Sequence, residues 1–253
     1  MKKTTILMIV ILMTGYITVT AQTEPQYKPS IDQLYLTVEE VPNAVYWLPA
    51  PPEPGTTQFV HDINQYYWGK EQRLDSARAQ KAIDEVVFET ADMAKLFSPA
   101  FGMEISKENT PATFKVLHRA MMTIRLSASK PKATYGRLRP YVRFNEPTLF
   151  PGDEEELRDQ GSYPSGHTVR GWGMALLLCE INPDAQNELF KLGYEWGQSR
   201  VIAGYHWQSD VDASRMLAAA CYARLHACEE SLRIWPKPAR SSRSKADDDR
   251  GDI

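Results

Sequence analysis

Cysteine is scarce in this chain of 253 residues. It occurs only at Cys179, Cys221 and Cys228, and neither a Cys-x-x-Cys nor a His-Glu-x-x-His spacing is present. That excludes a zinc ribbon or a zincin centre, so no metal site and no cofactor is expected. Cys221 and Cys228 are predicted to share one helix. Their separation corresponds to about 10 Å of rise, beyond the ~7 Å reach of a disulfide. Only a bridge involving Cys179 is feasible, and the simpler reading is three small buried apolar side chains.

Charge of one sign is lacking as well. The formal net charge is −3, and no basic stripe interleaves with aromatic residues, which argues against a nucleic-acid partner. No apolar run approaches the about 20 residues that cross a bilayer as a helix. The longest, Ile6 to Met13, follows Lys2 and Lys3 and precedes Val19-Thr20-Ala21. Short apolar run, basic flank and small-residue site together predict a cleaved signal peptide over residues 1–21. The mature chain would begin at Gln22, carry no stable membrane anchor, and reside in the periplasm or outside the cell. No run of alternating apolar residues argues for a sheet.

These absences leave an all-α, single-domain protein. Residues 22–57 are proline-rich and read as an extended, wrapping arm. Residues 58–235 form the expected domain, and 236–253 a polar, disordered tail. Within the domain, Leu74 to Leu96 reads as helical. Thr110-Pro111 opens a helix towards Ser127. A helix or turn carries Lys132 and Arg139. Residues 141–163 read as a loop with a solvated acidic run, Asp153 to Glu156. Asn182-Pro183 caps a helix ending near Ser199, and Ser209 opens the last long helix, to about Ile234.

What the chain does contain is a set of groups suited to a phosphate. Arg139 and Arg200 present planar forks that match phosphate oxygens in pairs, and Lys132 adds a point charge. Phosphoryl transfer spreads charge over three oxygens, so such cations serve it directly. Pro164-Ser165-Gly166-His167 combines a hydroxyl, a glycine turn and an imidazole ahead of an apolar helical run, Trp172 to Leu178. A helix N-terminus of that kind binds anions; taken alone, Ser165 is also an ordinary N-cap. His206 and Asp210 are four residues apart, which on a helix places them on one face. The carboxylate would fix the imidazole tautomer and leave the other nitrogen free to attack.

The ordered combination Lys-x6-Arg-Pro, Pro-Ser-Gly-His and Ser-Arg-x5-His-x3-Asp resembles the type 2 phosphatidic acid phosphatase (PAP2) superfamily. The stretches 161–168 and 197–212, with 48–55, 97–102 and 180–189, are similar to bacterial class A non-specific acid phosphatases. The resemblance implies an all-α bundle of the PAP2/haloperoxidase type. It implies His206 as nucleophile forming a phosphohistidine, Asp210 orienting it, and His167 as general acid and then base. Lys132, Arg139 and Arg200 would hold the phosphoryl oxygens, with the Ser165 hydroxyl and the Gly166 N–H. It further implies small-molecule phosphate monoesters as substrates, broad substrate range, transfer to alcohols, and a homo-oligomer. Two alternatives stay open at this point: a vanadate-dependent haloperoxidase, and a phosphate-binding protein without catalysis.

Overall fold

A computed structural model describes residues 34–234. The predicted signal segment, the arm before residue 34 and the 236–253 tail lie outside the described residues. Among the described residues there are helices and turns and no strand. The helices, in chain order, are α1 (Thr57–Gln72), α2 (Ser76–Asp84), α3 (Thr90–Phe101), α4 (Pro111–Leu126), α5 (Ser129–Tyr135) and α6 (Pro140–Phe144). They continue with α7 (Glu154–Leu157), α8 (Gly166–Ile181), α9 (Gln186–Ala203), α10 (Gln208–Leu225) and α11 (Glu229–Ile234).

Helix α8 is the centre of the bundle. Val169, Met174, Ala175, Leu177 and Leu178 are all fully buried, and a helix apolar on every side has to be enclosed by others. It packs against α9, α10 and α4, while α9 in turn contacts α1, α2 and α3. The α8–α9 crossing depends on a missing side chain. A Cβ on Gly171 would stand 2.4 Å from the Trp196 ring, so only glycine allows the two helices this approach. Trp196 itself is fully buried, its ring 5.5 Å from that of Phe97.

The described part of the arm wraps this core. Tyr35, Leu36, Val41, Ala44 and Leu48 are buried in it, and the Tyr163 hydroxyl donates to the Pro49 carbonyl at 2.6 Å. Tyr35 is held by α4, under the Arg119 guanidinium at 4.2 Å from its ring. Arg119 also pairs with Glu230 of α11 at 2.8 Å.

Several boundaries differ from the sequence expectation. The helix expected over Leu74–Leu96 is two, α2 and α3, parted by residues 85–89. Glu85, buried among polar partners, breaks the run there. The last helix is also two. The chain leaves α10 at Leu225, so Cys228 lies between α10 and α11 and not on the helix that carries Cys221. All three thiols are free. Asn182 does not cap α9; its side chain donates to the Phe101 carbonyl at 2.9 Å, and α9 runs past Ser199 to Ala203. The 141–163 segment is a loop only in part, since α6 and α7 lie in it. Glu154 is not simply solvated, because its carboxylate accepts from the Thr148 N–H at 2.6 Å and hydroxyl at 2.7 Å.

Candidate active site

Three chain turns meet where α8 and α10 begin. The Ser165 N–H donates to the Asp210 carbonyl at 3.4 Å, and the Ser214 hydroxyl donates to the Ser165 carbonyl at 3.0 Å. The two helix starts are thereby stitched side by side. The third turn carries Arg137 to Arg139, between α5 and α6.

His206 reaches this point because α9 stops abruptly. Gly204 adopts φ +86°, a left-handed conformation that favours glycine, and the N–H groups of Tyr205 and His206 both fold back onto the Arg200 carbonyl. The expectation of His206 and Asp210 on one helix face needs correction. His206 lies in the turn before α10, and Asp210 lies in its first turn. The helix begins at Gln208, with Trp207 in the capping position, so Ser209 is inside it and is not its cap. The pairing survives that shift: His206 Nδ1 stands 3.3 Å from Asp210 Oδ2.

The tautomer of His206 follows from its partners. Its Nε2 stands 3.2 Å from Arg139 Nη1, and a guanidinium can only donate. Nε2 therefore accepts, and Nδ1 carries the proton donated to Asp210. The Nε2 lone pair points at a cation. Burial depresses the basicity of His206 strongly, outweighing the Asp210 interaction, so the ring is neutral at physiological pH. Asp210 is fully buried, which alone would raise its pKa; Arg137 foremost, then His206 and the Trp207 N–H, hold it below the ordinary carboxylate range.

His167 is the second residue of α8 and is held differently. Its Nε2 meets the Val86 carbonyl at 2.8 Å. A carbonyl only accepts, so this nitrogen bears the proton and Nδ1 is the variable position. The ring lies 4.9 Å from that of Phe88. Burial, then the positive Arg200, push the His167 pKa well below its usual value.

The expected cations gather here too. Arg139 Nε donates to the carbonyls of Leu157 (3.0 Å) and Gln160 (3.1 Å), and its Nη1 to that of Tyr205 (3.2 Å). Lys132 donates to the Gly161 carbonyl at 2.6 Å, and its charge is felt at His206. Arg200 donates to the Ala82 carbonyl at 2.9 Å, while its Nε is buried with no partner. Burial lowers the Arg200 pKa to about 10, which leaves it charged at neutral pH. Ser165 is fully buried and its hydroxyl caps α8, accepting from Thr168 N at 3.3 Å. A Cβ on Gly166 would meet nothing within 4 Å, so open space lies beside the α8 N-terminus.

Other residues around the site carry no signal in the motif spacing. Arg137 donates to Asp210 Oδ1 and Asp62 Oδ2, each at 2.6 Å. Glu85 accepts from Ser199, next to Arg200, and its negative charge favours that guanidinium. Among the described residues no group of three His, Cys, Asp or Glu is arranged to hold a metal ion.

The all-helical domain thus brings together a buried imidazole paired to a carboxylate, a second, half-buried imidazole, and the cations Lys132, Arg139 and Arg200. Comparison with known proteins narrows this. Residues 116–233 match the PAP2 superfamily. A non-specific acid phosphatase of Providencia stuartii is 40% identical over 200 residues, 79% of this chain and 80% of that one. One from Salmonella typhimurium is 40% identical over 194 residues, 76% and 77% of the two chains. An acid phosphatase of Zymomonas mobilis is 34% identical over 180 residues, 71% and 68%. The chain belongs to the PAP2 superfamily, alongside these bacterial acid phosphatases.

Proposed function

We propose that the protein is an acid phosphatase that hydrolyses phosphate monoesters through a covalent intermediate on His206. The observation that carries this reading is the placement of the His206 ring, with Nδ1 against Asp210, Nε2 against Arg139 and the Lys132 charge felt at the ring. In the first step Nε2 forms a bond to phosphorus while the phosphorus–oxygen bond to the alcohol breaks. A proton on His167 Nδ1 passes to the leaving oxygen. In the second step His167 Nδ1 takes a proton from water, whose oxygen attacks phosphorus, and the nitrogen–phosphorus bond breaks. Arg139, Arg200 and Lys132 neutralise the charge that the phosphoryl oxygens carry throughout. The Gly166 N–H and the positive end of α8 add to this.

Burial and Arg200 depress the basicity of His167 in the free protein. As an acid it needs a proton that it does not hold until an anion arrives. A phosphate dianion beside it, within the field of Arg200, supplies the opposite charge that raises its pKa. Protonation thus accompanies substrate binding, and the reaction favours acidic over alkaline pH.

Because the site grips the phosphoryl group and closes covalently on it, water and alcohols compete for one intermediate. Broad substrate range and phosphoryl transfer to added alcohols belong to the same reading. Steady-state release of p-nitrophenol and of phosphate tests it. In molar glycerol the phenol should exceed free phosphate, and glycerol phosphate should make up the difference; equality of the two at every glycerol concentration would contradict it. Export rests on the Lys2–Ala21 pattern, and mass spectrometry of the native protein should find Gln22 first. Homo-oligomer formation rests on the family resemblance alone, and light scattering of the purified chain reads it.

A further inference from the structure

Asp62 lies on α1, outside the segment that matches the superfamily, and is fully buried. Each of its oxygens is engaged. Oδ1 accepts from the Ser209 N–H at 2.8 Å, and Oδ2 accepts from the Ser209 hydroxyl and from Arg137 Nη2, both at 2.6 Å. Arg137 turns its other terminal nitrogen, Nη1, to Ser209 Oγ at 2.8 Å and Asp210 Oδ1 at 2.6 Å. Its guanidinium lies 5.4 Å from the Trp207 ring, and Trp207 is tied in turn by its indole N–H to the Leu138 carbonyl at 2.8 Å. The second oxygen of Asp210 accepts from the Trp207 N–H at 2.9 Å and meets His206 Nδ1.

The groups in this chain follow as carboxylate, guanidinium, carboxylate and neutral imidazole, with the first three alternating in charge. A single buried carboxylate would sooner take a proton than stay ionised. One guanidinium shared by a planar fork keeps Asp210 ionised while its other terminal nitrogen is held by Asp62. We infer that Arg137 and Asp62 are positioning residues for the nucleophile: Asp62 anchors Arg137, and Arg137 keeps Asp210 ionised and aimed at Nδ1 of His206. This rests on the proposed role of His206. Asp62 already joins α1 to α10 through the N–H and hydroxyl of Ser209, so that link does not call for the further bond from Arg137 to Asp210.

The two functions of Arg137, charge and geometry, separate by substitution. Arg137→Met removes both, while Arg137→Lys restores a charge without the fork. With p-nitrophenyl phosphate, Arg137→Met should lower kcat by roughly 10²-fold with KM changed less than about threefold. Its acid limb should move up by about one pH unit, because Asp210 then protonates more easily. Arg137→Lys should return the limb towards its original pH but leave kcat about tenfold down. Asp62→Asn, which preserves volume, should lower kcat without moving the acid limb. The tautomer of His206 in nitrogen-15-labelled protein gives a readout that needs no turnover. The Nδ1–H form should dominate in the unsubstituted chain and yield to a tautomeric mixture in Arg137→Met. Folded Arg137→Met protein with unchanged acid limb, kcat and tautomer would overturn the inference, as would Asp62→Asn with unchanged kcat. If Arg137→Met does not fold, Arg137→Lys with unaltered kcat overturns it equally. An unsubstituted chain that releases no phosphate would sink the phosphatase reading instead, and the tautomer comparison would still decide the positioning role.

Discussion

His206 stands among side-chain charges, whereas His167 stands against a backbone carbonyl and an aromatic ring. Asp210, Arg137 and Asp62 line up behind the first in a buried ionic chain. Behind the second are Val86 O and Phe88. The ionic chain locks one tautomer and one orientation, which suits a group that must present a lone pair. A neutral carbonyl fixes the ring plane yet leaves its charge free to follow what binds, which suits a group that must give a proton and take one back. The comparison teaches that equivalent side chains acquire different chemistry from what stands on their far nitrogen.

Removing each histidine should expose that difference. His206→Ala should lower kcat by at least about 10⁴-fold for every ester, because no bond to phosphorus can form. His167→Ala should cost about 10²–10⁴-fold with an alkyl phosphate. It should cost much less with p-nitrophenyl phosphate, whose leaving group needs little protonation. Kinetics across leaving groups of different acidity checks both. Equal losses across the series in His167→Ala would break the assignment of the acid.

Two glycines sharpen the contrast between scaffold and site. Gly171→Ala places a methyl into the Trp196 ring and should cost about 2 kcal/mol or more of stability. Gly166→Ala meets no protein atom within 4 Å and lies at the first position of α8, so the melting temperature should hold or rise slightly. On the proposed function its methyl would enter the space beside the α8 N-terminus assigned to phosphate, and KM should rise by about tenfold or more. Thermal melts paired with KM values check both; a Gly166→Ala enzyme with unchanged KM would move the anion elsewhere.

Much of this site was legible because its chemistry demands particular side chains at fixed spacing. Lys132, Arg139, Ser165, Gly166, His167, Arg200, His206 and Asp210 lie near one another around the starts of α8 and α10, and their roles there are a proposal. Arg137 was not legible, because it occupies an unspecified position between Lys132 and Arg139. Asp62 precedes Asp210 by more than half the described chain, and nothing local marks it. The Val86 carbonyl has no side-chain signature at all. In the fold, Val86-Val87-Phe88 extends the apolar pattern of α2 into α3, which hid the break around the buried Glu85. Likewise Ser209 looks like a helix cap, but its hydroxyl is taken by Asp62.

The charge freedom of His167 has its own test. Burial and Arg200 lower its pKa well below the usual value, so binding of a tetrahedral anion should take up protons. Calorimetry of vanadate or phosphate binding in buffers of different ionisation enthalpy should report uptake of up to about one proton near pH 6.5, and affinity should fall as pH rises. Zero uptake there would mean that His167 is already charged or stays neutral.

A smaller effect is expected far from the site. His226 donates to the Tyr222 carbonyl at 2.9 Å and meets the Glu180 carboxylate at 3.0 Å. Burial opposes its charge, but the Tyr222 and Glu180 bonds prevail and raise its pKa. A raised folded pKa gives stability that is full below the unfolded value of about 6.5 and is lost as pH rises through the folded one. His226→Gln should therefore lower the melting temperature slightly at pH 5.5 and hardly at all at pH 9. Melts at the two values check this sign.

The central claim is that His206 forms the bond to phosphorus. Rapid quenching with phosphorus-32-labelled substrate, followed by peptide mapping under alkaline conditions, reads it directly. The expected result is acid-labile, base-stable label on the peptide containing His206. That label should persist in His167→Ala, where its hydrolysis is slowed, and be absent from His206→Ala. Label on His167, or full turnover with no labelled enzyme at any quench time, would contradict the account.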